Sequence, residues 1–263
     1  MPKVYRVIIA VTMGIEVNGG YSVALPHLHT VESDGMVTSN QLFSDIAQAK
    51  EELGINIVGG YTNHDTIKGM EPARRAADYF GIEMIPGQEI TVGRFPPKHI
   101  LALFPEDPQG PIRPAKTVEG TIDKIKENDG LVIAAHPDAF RGIASLTSSE
   151  MRNLGNRDLI DGLEVISGTY NREERLQPIA KELGKTRPVA QIGSSDSHFG
   201  SKDLLTAITI FKGKTVEDFF EAVKKGETVA LPGIMHTVRT RDRVVQNLYS
   251  NIVLNVRRLM KSL

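Results

Sequence analysis

Six of the seven histidines stand at the ends of strand-length apolar runs, in company with carboxylates. The first cluster is Pro26-His27-Leu28-His29-Thr30, followed by Ser33-Asp34-Gly35. On a strand, residues i and i+2 share a face, so His27 and His29 can reach one ion. The pattern returns at Asn63-His64-Asp65, Glu89, His99, His136-Pro137 and Ser195-Asp196-Ser197-His198. Imidazole and carboxylate are ligands for Zn, Mn and Fe. Groups this far apart in sequence converge only in a fold that collects several strand ends, and the pattern points to a multinuclear site.

The rest of the chain has the alternation such a fold needs. Residues 4–11, 21–27, 55–61, 82–85, 100–104, 131–135, 159–166, 189–192 and 205–211 read as strands. Asn18-Gly19-Gly20 is a turn signal. Thr38 or Ser39 caps a helix whose face is Leu42, Ile46, Ala49 and Leu53, and Gly54 stops it. Helices also read over residues 72–80, 118–126, 172–183 and 216–225. Repeated β–α alternation predicts parallel strands with covering helices. Nearly every candidate ligand falls at the carboxyl end of a predicted strand. In a closed barrel those ends meet at one face, whereas an open sheet spreads them along a crevice. The expectation is an α/β, TIM-like barrel.

Residues 104–114 carry four prolines and read as a rigid loop near the mouth. Residues 1–238 read as one barrel domain, and residues 239–263 as a tail with Val245, Leu248, Ile252, Leu259 and Leu263 at helical spacing. The tail is expected to pack on the barrel, and its stripe also suits an oligomer contact.

Composition removes several classes. The net charge is −1, so no stable nucleic-acid complex and no anionic membrane surface are expected. There is no cysteine, so any metal is held by N and O donors, and a cytoplasmic setting fits. Residues 7–11 are too short an apolar run for a signal peptide, and nothing reaches bilayer-spanning length.

These motifs together resemble the PHP (polymerase and histidinol phosphatase) superfamily, and within it the small stand-alone phosphoesterases. The resemblance covers residues 21 to about 235 and rests on five ordered motifs. It implies a distorted (β/α)7 barrel with the metal site at the carboxyl ends of the strands. It implies two or three divalent ions, Zn, Mn or Fe. One ion would take His27, His29, Glu89 and Asp196. A second would share Glu89 and take His99 and His136. A third would take Asp34, His64 and His198. The implied reaction is hydrolysis of a small phosphorylated metabolite or nucleotide by metal-activated water, with Glu89, Asp196 and His198 as catalytic residues. Asn63 stands where the family more often has aspartate, which is expected to alter a bond that orients a histidine. The segment between His99 and His136 lacks the helical insertion of some related nucleotide phosphatases.

Arg141, five residues past His136, is the candidate for substrate phosphate, with Arg94, Lys98 and Arg113 behind it. Glu164, Ser167, Tyr170 and Asn171 read either as pocket wall or as buried polar residues satisfied by backbone. His236 belongs to no metal motif and reads as peripheral. Histidinol phosphate and the end of a nucleic-acid strand are alternative substrates. An amidohydrolase is a competing class, but the metal-bridging lysine usual there has no matching motif. A non-catalytic PHP scaffold is a third, against which all nine ligand positions are filled.

Overall fold

The computed structural model describes residues 20–93, 96–139, 145–168 and 173–233. The expected amino-terminal strand, Arg94, Arg141, Tyr170, Asn171, His236 and the tail lie outside them. In chain order the elements are β1 (Tyr21–Leu25), α1 (Ser39–Leu53), β2 (Asn56–Tyr61), α2 (Met70–Phe80), β3 (Glu83–Val92) and β4 (Lys98–Leu103). They continue with α3 (Val118–Lys126), β5 (Leu131–Ala134), α4 (Ser148–Asn156), β6 (Gly162–Ser167), α5 (Glu173–Leu183) and β7 (Ala190–Ser194). After a short 3-10 turn come β8 (Ala207–Lys212), α6 (Val216–Lys225) and β9 (Val229–Pro232).

Local signals account for the helices. Thr38 caps α1 by accepting from the Gln41 N–H, and Gly54, at φ 64°, ends it in the left-handed conformation. Thr215 and Asp218 form a reciprocal capping box at α6. α4 has the same device in Thr147 and Glu150, and the expected element list missed it.

All nine strands form one sheet, ordered β7-β6-β5-β4-β3-β2-β1-β8-β9. Its two ends approach each other, giving a nearly closed barrel. Inward residues such as Ala24, Val58, Ile85, Leu101, Ile133 and Ile192 fill the lumen, and Phe219 and Val223 of α6 pack against them. Outward residues face the helices in two clusters. One joins β1 and β2 to α1 and α2, and the other joins β4, β5 and β6 to α3, α4 and α5.

The expected distorted barrel is present, with nine described strands where the resemblance implies seven and with two of them reversed. β4 is antiparallel to both neighbours, and so is β8. The cause is loop length. Residues 93–97 link β3 to β4, too short a connection for the crossover that parallel pairing requires. β8 follows β7 through residues 195–206, which hold a 3-10 turn but no covering helix, and it too reverses.

The seam between β7 and β8 is closed by a side chain. The Thr209 hydroxyl accepts from the Gly193 N–H at 2.9 Å and donates to the Gly193 carbonyl at 2.8 Å. A Cβ on Gly193 would stand 2.1 Å from the Ile208 carbonyl oxygen, so glycine is needed for this approach. None of the described helices is long and apolar enough to cross a membrane.

Candidate metal centre

His27 and His29 lie just past β1, where the chain stays extended. Leu28 makes an isolated parallel bridge to Ser197. The His29 N–H donates to the Ser197 carbonyl at 2.9 Å, and the Ser197 N–H donates to the His27 carbonyl at 3.3 Å. Leu28 turns outward into the layer under α1 and α2, and the two flanking histidines are wholly buried among the site's ligands. The alternation that groups His27 with His29 therefore operates beyond the end of the regular strand.

The loop that follows brings Asp34 back over His29. A Cβ on Gly35 would stand 2.5 Å from the His29 carbonyl carbon, so this fold-back excludes any side chain there. Asn63 pins the loop. Its Oδ1 accepts from the Thr30 N–H at 2.8 Å and the Ser33 hydroxyl at 2.7 Å, and its Nδ2 donates to the Thr30 hydroxyl at 2.9 Å. This corrects the expected role of Asn63: its bonds hold the Asp34 loop, not a histidine ring.

Glu89, on β3, is the centre of the cluster and is fully buried. Its two oxygens face different histidines. Oε2 is 2.9 Å from His27 Nε2, 3.2 Å from His29 Nε2 and 3.1 Å from His64 Nε2. Oε1 is 2.8 Å from His99 Nδ1 and 2.9 Å from His136 Nε2. Asp196 Oδ1 stands 3.2 Å from His29 Nε2 and 3.5 Å from His27 Nε2. Asp34 Oδ2 lies 3.2 Å from His198 Nε2 and 3.8 Å from His64 Nε2.

All nine expected ligand residues thus converge, and they form overlapping groups. His27, His29, Glu89 and Asp196 are one, His29, Asp34, His64 and His198 another, and His64, Glu89 and His99 a third. Within each, the ligand atoms lie within 4.8 Å of one another. His136 Nε2 adjoins the last group, 3.4 Å from His99 Nδ1. His99 departs from the expected placement at a strand's carboxyl end. It sits at the start of β4, and the reversal of β4 brings that start to the same mouth.

The backbone is strained where ligands turn inward. His136 has φ 26° and Asp196 φ 49°, values that cost a non-glycine residue free energy. Asp203, which the sequence did not single out, holds the Asp196–His198 turn. It accepts from the Ser197 hydroxyl at 2.5 Å, the His198 N–H at 2.9 Å and the Phe199 N–H at 3.1 Å. Glu164 is a buried polar residue that accepts from backbone, one of its two expected readings, and it is tied to a histidine ring as well. Lys98 pairs with Glu150 at 3.1 Å, and Arg113 is exposed.

Electrostatics follows from burial and proximity. Burial works against charge on His27, yet Glu89, Glu164 and Asp196 raise its pKa well above the ordinary value. Burial opposes charge on His198 too, but Asp34 and Asp196 push it up to about 10. His64 goes the other way, to about 4, because burial outweighs Glu89 and Asp34. Burial would raise Asp34 and Glu89, and the surrounding histidines instead hold both well below the carboxylate range.

The residues fit divalent cations. Both ring nitrogens of His29 are buried without a hydrogen-bond partner, although two carboxylate oxygens stand 3.2 Å from Nε2. An unmatched buried polar atom costs about 1–3 kcal/mol. Ligand atoms at about 2.0–2.2 Å around a tetrahedral ion stand roughly 3.3–3.6 Å apart, close to the spacing found among His27, His29 and Asp196. An all-N/O donor set suits Zn, Mn or Fe.

Fold and site define a barrel whose mouth gathers candidate metal ligands from most of its strands. The chain belongs to one family with an uncharacterized protein of Methanocaldococcus jannaschii. The two are 34% identical over 141 residues, 52% of this chain and 71% of that protein. No protein-family model matches the chain. Solved structures share the fold. A two-domain protein from Bacteroides vulgatus, containing a predicted PHP-like metal-dependent phosphoesterase, aligns with a TM-score of 0.64 at 20% identity. The alignment covers 81% of this chain and 65% of that one, so the chain spans just under two thirds of that protein's length. A protein from Bifidobacterium adolescentis, named a metal-dependent phosphoesterase by inference, aligns at 0.55 with 20% identity over 77% of this chain and 96% of that one. An amidohydrolase from Chromobacterium violaceum, solved with sulfate and no metal, aligns at 0.53 with 16% identity over 80% and 97%.

Proposed function

We propose that the chain is a metal-dependent hydrolase that cleaves phosphate esters of a small metabolite or nucleotide. The observation that carries this reading is Glu89, a wholly buried carboxylate with three histidines at one oxygen and two at the other. Such a carboxylate is suited to bridge two cations. His27, His29, Glu89 and Asp196 would hold the first divalent ion, and Glu89, His99 and His136, with His64 beside them, the second. Asp34, His64 and His198 would hold a third. Ions held there supply an acidified water and neutralise charge on phosphoryl oxygens.

The chain's own residues do the positioning. His198 Nδ1 lies 2.9 Å from the Asp196 carbonyl, an obligatory acceptor, so the proton sits on Nδ1. Its Nε2 is thereby free to face Asp34. If His198 is not engaged by metal, it is placed to protonate a leaving oxygen. Arg141 is proposed to hold a substrate phosphate oxygen. The tail, residues 239–263, is proposed as the contact for any oligomer.

Amide hydrolysis is a second reading, favoured by the amidohydrolase name of the Chromobacterium violaceum neighbour. One assay separates the two. Protein stripped by chelator and reloaded with Mn, Zn or Fe is offered nucleoside mono- and bisphosphates, histidinol phosphate, sugar phosphates, short oligonucleotides and amides. Asp196→Ala runs alongside. Phosphate release that the variant loses supports the proposal, and amide cleavage alone overturns it.

A further inference from the structure

Glu164 lies on β6, fully buried, where the pairing with β7 shifts register between Glu164 and Ile166. Such bulges re-aim a side chain. Its Oε1 is 2.8 Å from His27 Nδ1. Its Oε2 accepts from the His136 backbone N–H at 2.6 Å. His27 and His136 lie on opposite sides of Glu89, His27 at Oε2 and His136 at Oε1. One carboxylate therefore grips a ring from one proposed ion position and the backbone of a ligand from the other.

We infer that Glu164 is the positioning residue of this centre, fixing the His27 proton on Nδ1 and securing the strained turn at His136. The inference rests on the metal-centre reading above. The argument is one of donors and acceptors. An ionised carboxylate only accepts, and a backbone N–H only donates. Glu164 therefore requires His27 Nδ1 to carry hydrogen, and a neutral ring with Nδ1–H has a bare Nε2. That nitrogen is the one aimed at Glu89 and Asp196, at 2.9 and 3.5 Å. The outer carboxylate thus selects the tautomer that binds metal. At His136 it supplies an acceptor to a backbone held at φ 26°.

The same logic sets an unusual order among variants. Glutamine has the size of glutamate but only one acceptor oxygen. If that oxygen keeps the His136 N–H, the amide NH₂ faces His27 Nδ1 and demands an acceptor there. His27 then carries its proton on Nε2, where a metal should bind. Alanine removes the acceptor but imposes no wrong tautomer, and a water can replace it. Metal affinity should therefore fall in the order wild type, Glu164→Ala, Glu164→Gln. A role in packing alone gives the opposite order for the two variants.

The test uses the full chain. Zinc stoichiometry and affinity are measured by elemental analysis and chelator competition for wild type, Glu164→Ala and Glu164→Gln. Circular dichroism on the stripped proteins checks that each is folded. Histidine ¹⁵N spectra of the zinc-loaded wild type read the His27 tautomer. The expected result is an Nδ1–H, Nε2-bound His27 in wild type and a loss on the order of 10–100-fold in affinity for Glu164→Gln, with Glu164→Ala between. Zinc binding by Glu164→Gln at the wild-type level, or tighter than by Glu164→Ala, overturns the inference while leaving the metal centre intact. A wild-type protein that takes up no zinc, manganese or iron overturns the metal-centre reading itself and this inference with it.

Discussion

Replacing Thr209 with valine tests whether a single hydroxyl closes the barrel. Thr209 is wholly buried on β8. Its oxygen accepts from the Gly193 N–H at 2.9 Å and donates to the Gly193 carbonyl at 2.8 Å. Valine keeps the shape and removes both bonds. The valine methyl occupies the hydroxyl's place, so no water can stand there instead. A buried N–H without a partner costs about 1–3 kcal/mol, and the lost bond to the carbonyl adds about 1. The expected destabilisation is about 2–4 kcal/mol, which for a domain of this size lowers the melting temperature by about 5–15 °C. Thr209→Ser is the control. It keeps the hydroxyl and loses one methyl group, at a cost of about 1 kcal/mol. Urea unfolding followed by circular dichroism gives both values. Equal midpoints for the valine and serine variants would show that the hydroxyl contributes nothing and that the seam is held by apolar packing.

Four further outcomes are expected. Glu89→Gln, which removes the charge shared by both sides of the centre, should lower metal stoichiometry by at least one ion per chain; full loading of the variant refutes a bridging role. Metal affinity should rise with pH, because His27, His136 and His198 all have raised pKa values in the metal-free protein, and bound protons must leave before ions enter. The same His198 proton bears on stability. Its folded pKa of about 10 lies above the ordinary 6.5, so its contribution is complete below 6.5 and is lost as pH rises through about 10. Calorimetry of the stripped protein should show melting temperatures falling over that interval. Asp203→Asn should cost about 1–3 kcal/mol, since an amide has one acceptor for the hydroxyl and two N–H groups that Asp203 serves; an unchanged melting temperature counts against it.

The convergence of the candidate ligands was legible because their chemistry is local. The His-x-His spacing puts two rings on one face, and that geometry survives at Leu28, where only an isolated bridge continues the strand. Helices α1, α3 and α6 were legible for a similar reason, since caps and apolar stripes are written within each segment. Strand direction was not. Nothing in residues 98–103 says that they run backwards; the information lies in the short connection before them. Asp203 was not singled out, and Glu164 was named without its histidine partner, for another reason. Each acts on groups brought to it by other strands or by a turn, and a lone carboxylate in an apolar segment has many uses. Asn63 was singled out, but which of its neighbours it would bond depends on how the Asp34 loop folds back.

The site also constrains the order of events during synthesis. Asp34 meets His198 across 164 positions of chain. A nascent polypeptide exposes His27, His29 and His64 long before the end of β7 exists, and until then neither group that includes Asp196 or His198 can be completed. On the proposed reading, capture of an ion in those two groups waits for the last ligands. An ion that binds only the finished fold shifts the folding equilibrium by mass action, by about 4 kcal/mol at a thousandfold excess over its dissociation constant. Metal supply would then govern how long the folded chain survives proteolysis, and scarcity would show first as lost abundance.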